Sequence, residues 1–216
     1  MSITETLQDQ LDAITANTRK LVPADRLAVS EQAVTELFNS GIEDRILKPG
    51  MRAPEFELQD ASTGKLVHST DVLALGPMVL SFFRGRWCPY CVTELEIWRD
   101  LYPDLRQRNA LFVAVSPQMQ RQNDFTVQQH SLPFAVLTDP ACALAEQFGI
   151  AYTVPEYHRL HLRSIMVNIP YVNGENTWRL PLPAVFVIGQ DNIIRFSEVH
   201  ADFRVRPEPA DVLAAL

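Results

Sequence analysis

The sequence predicts an α/β fold, in which helices cover both faces of a mixed central sheet and a helical extension precedes it. Three observations support this prediction. Apolar runs that suit buried strands alternate with segments of helical periodicity over residues 77–148. Two later apolar runs flank the turn Gly189-Gln190-Asp191-Asn192, so the second should return antiparallel to the first. Residues 1–48 carry two helical apolar stripes.

The N-terminal extension, residues 1–48, is predicted to consist of two helices. The first has capping-box spacing at Ser2-Ile3-Thr4-Glu5, and the second begins at Pro23 and ends at Asn39-Ser40-Gly41. The apolar stripes are formed by Ile3, Leu7, Leu11 and Ile14, and by Leu27, Val34, Leu37 and Phe38. Because such a pair is not stable alone, we expect it to cover the core of the main domain. Pairing with a second subunit, as a homodimer, is the alternative.

Residues 49–216 are predicted to form one domain. Its strands are expected at 53–58, 66–68, 78–83, 111–116, 134–137, 183–188 and 193–196. Helices are expected from the first cysteines to about 109, at 118–130, at 140–148 behind an Asp139 cap, and from Pro207 onward. Asn173-Gly174 predicts a two-residue hairpin turn between strands at 167–172 and 177–180.

Composition and charge narrow the classes of function. The chain has 216 residues, 47% of them apolar and 21% charged, which is ordinary for a globular protein. A formal net charge of −7 argues against nucleic-acid or anionic-membrane partners. No apolar run is long enough for a transmembrane helix, and Glu5, Asp9 and Asp12 stand where a signal peptide needs an apolar core. We therefore expect a cytoplasmic protein that binds neither nucleic acid nor membrane.

The chemistry is predicted at two cysteines, Cys88 and Cys91, which follow a buried strand and open an amphipathic helix. Thiolates, rather than thiols, attack disulfides and peroxides, so a redox cysteine needs a lowered pKa. The unpaired N–H groups at a helix N-terminus favour an anion, and Arg84 and Arg86 add positive charge close by. Two thiols one turn apart can also close a disulfide. The spacing therefore predicts a redox pair.

The titratable residues also have less reactive interpretations. The two cysteines could be inert core residues or half of a zinc site, but a zinc site needs further ligands and Cys142 is the only other cysteine. Cys142 is expected to be buried, and His158 and His161 to form a surface pair rather than a metal site. Glu94 is expected to interact with the helix dipole. The sequence implies no metal, flavin or nucleotide, because it contains no phosphate-binding loop.

Four segments, in order along the chain, resemble a known family. They are Ala53–Asp60, Phe82–Leu95, Leu132–Asp139 and Phe186–Ile188. Together they resemble the peroxiredoxins, the alkyl hydroperoxide reductase and thiol-specific antioxidant proteins, over residues 49–205. The resemblance implies a thioredoxin fold and a thiol-dependent antioxidant oxidoreductase.

The resemblance assigns the two cysteines in two ways. Counting along the peroxidatic loop of the family places its reactive cysteine at Cys91, with Cys88 in place of a Thr or Ser and Arg84 in place of a proline. The peroxide-holding arginine of the family would fall near Pro183. A proline there, opposite a Trp-Cys-Pro-Tyr-Cys motif, instead resembles thioredoxins and glutaredoxins, where it follows a cis peptide bond. In that alignment Cys88 attacks first.

Two reactions therefore compete. In the leading one, Cys91 reduces a hydroperoxide and becomes a sulfenic acid, Cys88 condenses with it, and an external thiol (thioredoxin, glutaredoxin or glutathione) reduces the disulfide. In the other, Cys88 attacks a disulfide of another protein or of a small thiol, and Cys91 resolves the mixed disulfide. A non-catalytic interaction protein is the third possibility.

Four residues around the cysteines are predicted to bind substrate. Arg84 or Arg86 would supply the positive charge that a peroxide site needs, with Arg179 as a weaker candidate. Pro183 would hold the backbone of a disulfide substrate, and Trp87 would form a wall of the pocket.

Overall fold

The structure, a computed structural model, describes residues 5–216. The capping box predicted at Ser2-Ile3-Thr4-Glu5 therefore lies outside the described residues. Within them, the first helix has a capping box one turn later. The Thr6 hydroxyl accepts a hydrogen bond from the Asp9 backbone N–H at 3.1 Å, and the Asp9 carboxylate accepts one from the Thr6 N–H at 3.0 Å.

Helices and strands alternate along most of the described chain. The helices are α1 Leu7–Leu21, α2 Ala24–Asn39, α3 Ser69–Leu75, α4 Pro89–Gln107, α5 Gln120–His130, α6 Ala143–Gln147, α7 Glu156–Ser164, α8 Ile169–Asn173 and α9 Pro209–Ala214. The strands are β1 Glu57–Asp60, β2 Leu66–His68, β3 Met78–Phe82, β4 Leu111–Ser116, β5 Ala135–Thr138, β6 Ala151–Thr153, β7 Arg179–Pro181, β8 Ala184–Ile188 and β9 Ile194–Val199. Short 3₁₀ turns lie at Ile42–Arg45 and Pro140–Cys142.

Seven strands form the main sheet, in the order β2-β1-β5-β4-β3-β8-β9. The central strands β3, β4 and β5 run parallel, and the outer pairs are antiparallel. Parallel neighbours need a long crossover, and α4 and α5 provide the two crossovers here. The predicted mixed sheet is confirmed.

Both faces of the sheet are covered, as the sequence predicts. Successive side chains of a strand point to opposite faces. Along β3, Leu80 and Phe82 belong to one apolar cluster, while Val79 belongs to a second cluster together with Trp98 of α4. The functional turn leaves the sheet at the C-terminal end of β3, between these two clusters.

The N-terminal helices pack on the main domain. Leu7 and Leu11 of α1 are buried in the same cluster as the cysteines. The Glu208 carboxylate accepts hydrogen bonds from the first N–H groups of α1, including that of Leu7 at 3.1 Å. On α2, Leu37 packs on the core, but Phe38 is 63% exposed and does not share the predicted face. The extension therefore covers the domain's own core; a domain boundary at residue 48 stays a prediction.

The hairpin predicted around Asn173-Gly174 is wrong. Residues Ile169–Asn173 form helix α8, and Gly174 ends it in the left-handed conformation, with φ of 74°. Pro170 suits the first turn of a helix, and Asn-Gly is as good a helix end as a hairpin turn. The strand that follows, β7, pairs with β6 instead.

The helix predicted over 140–148 begins later than expected. Ala141 and Cys142 have positive φ, so the helix proper starts at Ala143. Asp139 still caps it, because its carboxylate accepts hydrogen bonds from the N–H groups of Leu144 and Ala145 at 2.8 and 3.0 Å.

The packing of α1 can be tested by truncating its buried side chain. We expect Leu11→Ala to lower the free energy of unfolding by about 2–4 kcal/mol, because Leu11 is fully buried. The matched control is Leu21→Ala on the same helix, where the side chain is 82% exposed and the expected change is within about 0.5 kcal/mol. Urea unfolding measures both. Equal effects of the two substitutions would contradict the packing.

Candidate active site

The candidate site is built on the turn between β3 and α4. Cys88 is the residue that caps α4, and Pro89 occupies the first helical position, where its missing N–H is not needed. Gly85 has a φ of +146°, and a Cβ there would lie 2.6 Å from Trp87 Nε1. Glycine is therefore required for this turn, which sets Trp87 and Cys88 against the helix start.

Both cysteines of the motif are buried free thiols. Cys88 is 1% exposed and Cys91 is not exposed at all. Burial raises the pKa of Cys88, but its hydrogen bond with Cys91 and the charges of Arg84 and Arg206 outweigh burial and lower the pKa to about 6. For Cys91, burial, the hydrogen bond to Cys88 and the charge on Cys88 raise the pKa well above its usual value. The pair therefore holds one negative charge at neutral pH, on Cys88.

Arg206 is the main residue of the site that the sequence did not reveal. Its guanidinium donates to Cys91 Sγ at 3.6 Å and to the Glu94 carboxylate at 2.8 Å. Backbone carbonyls of Phe203 and Val205 accept from the same group, which fixes its position. The sequence could still have indicated a buried cation near Cys91. Helical spacing places Glu94 on the buried face of α4 with Cys91, and a buried carboxylate needs a cation.

The expectation that Glu94 serves the helix dipole is wrong. Glu94 forms a fully buried ion pair with Arg206, their side chains being 2% and 1% exposed. Burial raises the pKa of Glu94, Arg206 opposes the rise and Cys91 adds to it, with a result of about 7. Glu94 thus holds Arg206 beneath the thiol pair.

The two predicted arginines of the turn differ in position. Arg84 is 3% exposed, and its guanidinium lies 4.7 Å from the ring centre of Trp87 and 4.2 Å from that of Phe203. Arg86 is exposed and points to α5, where it donates to Gln122 Oε1 at 2.9 Å. Arg84 is thus the arginine of the turn whose charge acts on the thiols.

A cavity of about 220 Å³ adjoins the cysteine pair. Its lining includes Arg84, Trp87, Cys88, Tyr90, His158 and Phe203. Helices α1 and α2 contribute to its other side, and the Thr15 hydroxyl of α1 lies 3.1 Å from the Tyr90 hydroxyl, within hydrogen-bonding distance. Cys88 therefore meets the cavity, and the N-terminal extension forms its cover.

Pro183 lies beside a second cavity, of about 190 Å³, which shares His158 and Phe203 with the first. All peptide bonds in residues 5–216 are trans, including the one before Pro183. The site thus lacks the cis peptide of the thioredoxin arrangement, and substrate binding by Pro183 stays a prediction.

The histidine pair departs from expectation. His158 and His161 lie on α7 with their ring centres 6.0 Å apart, but His158 is only 5% exposed, so the predicted surface pair is wrong for it. Burial, with the charges of Arg84 and His161, lowers the pKa of His158 to about 4. Helix α7 packs against α2, and the i, i+3 spacing of the two histidines does not reveal this contact.

The other candidates lie away from the thiol pair. Cys142 is buried, as predicted, and burial raises its pKa. Arg179 pairs with Glu146. In the described part of the chain, no three histidine, cysteine or carboxylate side chains cluster in a way that could hold a metal ion. Over the same part, no helix is both long and apolar enough to cross a membrane.

Comparison with known proteins identifies the family. The model of the AhpC/TSA family matches residues 49–197. The chain belongs to this family. A similar AhpC/TSA relative is peroxiredoxin Bcp of Bacillus subtilis, 32% identical over 101 residues that make up 47% of this chain and 63% of the relative. The alignment therefore spans less than two thirds of that protein.

Solved structures of peroxiredoxins share the fold. Peroxidoxin BcpB of Mycobacterium tuberculosis has a TM-score of 0.61 at 22% identity, covering 78% of this chain and 96% of its own. A yeast mitochondrial 1-Cys peroxiredoxin has a TM-score of 0.59 at 18% identity, covering 78% and 74%. The predicted thioredoxin fold and peroxiredoxin resemblance are confirmed. The AhpC/TSA match begins at residue 49, so α1 and α2, which cover the cavity, lie outside it.

The charge on Cys88 predicts how the reaction depends on pH. The rate at which hydrogen peroxide oxidises the reduced protein should rise with pH, with a midpoint near 6, and level off above it, because only the thiolate reacts. Stopped-flow tryptophan fluorescence measures this rate. The Cys91→Ser variant controls for titration of the second thiol. A midpoint above about pH 8, as for an ordinary thiol, would contradict the assignment.

The buried ion pair predicts a stability effect. Arg206→Met should lower the free energy of unfolding by about 3–5 kcal/mol at a pH above 7, because the buried Glu94 carboxyl loses its cation and must either stay charged and unpaired or take up a proton. Adding Glu94→Gln removes the titrating group and should restore most of the loss. Urea unfolding of the single and double variants measures the difference. A double variant no more stable than Arg206→Met would contradict the pairing.

Proposed function

We propose that the protein reduces hydroperoxides through a dithiol–disulfide cycle of Cys88 and Cys91. The observation that carries the proposal is a buried cysteine pair at a helix start, holding one negative charge between two buried arginines. Membership of the AhpC/TSA family supports the same reaction, since the Bacillus subtilis relative is named a peroxiredoxin.

The chemical steps follow from the placement of the two sulfurs. The thiolate attacks the terminal oxygen of the hydroperoxide, an S–O bond forms, the O–O bond breaks and the alcohol leaves with a proton. The second cysteine then attacks the sulfenic acid, an S–S bond forms and water leaves. One dithiol and one hydroperoxide thus give one disulfide, one alcohol and one water. An external thiol then returns two electrons and two protons.

We assign the attack to Cys88 and the resolving step to Cys91. Cys88 lines the cavity and has the lower pKa, so a substrate that enters meets the thiolate directly. Cys91 is held by Arg206, whose charge stabilises the thiolate that leaves the disulfide on reduction, before Cys91 takes up a proton. The count along the family's peroxidatic loop gives the opposite order, with Cys91 attacking first.

Disulfide reduction is the second candidate function. The cavity position of Cys88 favours it, because the first cysteine of a thioredoxin-like motif is the one that attacks. The cover formed by α1 and α2 argues against a protein disulfide as substrate, because both sulfurs are buried beneath it.

The electron donor is proposed from the chemistry that the cycle requires. The yeast neighbour is described as resolving its thiol through glutathione and thioredoxin systems. We infer that thioredoxin, glutaredoxin or glutathione, or a thiol of similar chemistry, reduces the disulfide here. A homodimer and a cytoplasmic location stay predictions.

Single-cysteine variants test the proposal. Cys91→Ser should still be oxidised rapidly by one equivalent of hydrogen peroxide, with sulfenic acid trapped on Cys88, because the cavity thiolate is intact. Cys88→Ser should react at least about 100-fold more slowly, since Cys91 does not line the cavity and burial, the largest cause of its raised pKa, is unchanged in this variant. Rapid mixing and mass spectrometry of the trapped product measure both.

The outcomes separate the candidates. Sulfenic acid on Cys91 in a fast Cys88→Ser variant would keep the peroxidase and reverse the order of the cysteines. Oxidation of the wild type no faster than a free thiol, with rapid reduction of a model disulfide, would replace the peroxidase with a disulfide reductase. Cys142→Ser serves as the control, because that thiol is buried away from the cavity.

A further inference from the structure

Arg84 is a buried cation without a partner. The residue is 3% exposed, its buried Nε–H has no hydrogen-bond partner, and no carboxylate of the described chain forms an ion pair with it. The two other arginines around the site are paired: Arg206 with Glu94, and Arg204 with Glu31 and Asp202. A buried guanidinium is normally paired, because desolvating the charge is costly. Arg84 is therefore the exception that needs an explanation.

The aromatic rings around Arg84 do not satisfy its donors. The rings of Trp87 and Phe203 each lie within 5 Å of the guanidinium carbon. Ring faces attract the flat faces of a guanidinium, but its N–H groups point outward in its own plane. No carboxylate of the described chain pairs with these groups, and a planar anion such as a carboxylate is the partner that binds them in a bidentate manner.

The free charge of Arg84 belongs to the cavity that contains Cys88. Arg84 and Cys88 both line it. Arg204 and Glu31 also line it, but they neutralise each other, and Arg19 is exposed to solvent. Among the described residues that line the cavity, Arg84 is thus the buried charged residue that has no carboxylate as a partner.

Whether Arg84 has an anion nearby depends on the redox state of Cys88 and Cys91. In the reduced protein, the charge on Cys88 acts on Arg84 through space, although no hydrogen bond joins them. A disulfide carries no charge, so oxidation removes this anion. The oxidised protein therefore has the greatest affinity for an anionic ligand in the cavity, and the molecule that must then enter is the reductant.

We propose that Arg84 binds the carboxylate of a small acidic thiol that reduces the Cys88–Cys91 disulfide. A cavity of about 220 Å³ beneath α1 and α2 is of a size that suits such a molecule, whereas a folded protein is much larger than this cavity. The proposal rests on the proposed function only in requiring this disulfide to form.

The reduction balances with two thiol molecules. The first, as a thiolate, attacks Cys88 Sγ; the cysteine S–S bond breaks and its electrons go to Cys91, which takes a proton. The second attacks the ligand's sulfur in the mixed disulfide and leaves as part of a small-molecule disulfide. Cys88 departs as a thiolate, the anion that Arg84 faces in the reduced protein.

The test compares two thiols of similar size, mercaptopropionate and mercaptoethanol, of which only the first carries a carboxylate. Oxidised protein is prepared with diamide, so that it forms whether or not the protein reduces peroxides. Its reduction is followed by tryptophan fluorescence in a stopped-flow instrument. The readout is the second-order rate constant with mercaptopropionate divided by that with mercaptoethanol. Effects of a variant on the disulfide itself cancel in this ratio.

We expect Arg84→Met to lower this ratio by about 10-fold or more, and Arg84→Lys to retain part of it, because a charged hydrogen bond is lost in the first and replaced in the second. The matched control is Arg52→Met, an exposed arginine paired with Glu55, which should leave the ratio unchanged. Circular dichroism checks that each variant is folded.

Three results would overturn the proposal. The first is an equal ratio in wild type and Arg84→Met, which would leave Arg84 only the role of stabilising the Cys88 thiolate. The second is a preference for carboxylates seen with hydroperoxides and not with thiols, which would make the ligand of Arg84 the oxidant. The third is reduction by thioredoxin at a high rate while neither small thiol reacts. If peroxide oxidises the protein slowly but the ratio of the two thiol rate constants is as expected, only the proposed peroxidase function is contradicted.

Discussion

The site depends on keeping one negative charge in a buried dithiol. Two sulfurs on one helical turn cannot both ionise at neutral pH without water, and the neighbouring groups decide which does. The hydrogen bond with Cys91 and the charge of Arg84 favour the charge on Cys88, while Arg206 donates to Cys91 and is held in place by Glu94. Under the proposed function, the same arrangement would make one sulfur the nucleophile and its neighbour the resolving thiol. It also explains why buried arginines lie in a part of the core that is otherwise apolar.

The N-terminal helices turn this charge arrangement into an enclosed site. The family match covers the sheet and the cysteine turn but not α1 and α2. Several contacts hold these helices on the main domain. They include the Thr15–Tyr90 contact, the ion pair of Glu31 with Arg204, and the hydrogen bond from Tyr157 to Glu36. A shared catalytic turn is thus combined with a cover that belongs to this chain. The cavity that contains Cys88 lies where the two meet.

The features that could be predicted from the sequence are those that depend on neighbouring residues along the chain. The strand, turn and helix around Cys88 follow from periodicity and from the rules for helix starts, and so does the burial of Leu11. The Asn173-Gly174 hairpin failed because the same dipeptide also ends helices. Arg206 could not be placed, since its contact with Cys91 spans 115 residues of chain. The burial of His158 likewise depends on packing between α2 and α7, which no local spacing encodes.

The most direct test of the account is to titrate each thiol separately. Carbon-13 labelling of the cysteine β-carbons, followed by NMR of the reduced protein over a range of pH, reports the ionisation of each residue. We predict that Cys88 titrates near pH 6 and that Cys91 titrates well above the range of an ordinary thiol. A Cys91 that ionises first, with Cys88 protonated at neutral pH, would contradict it.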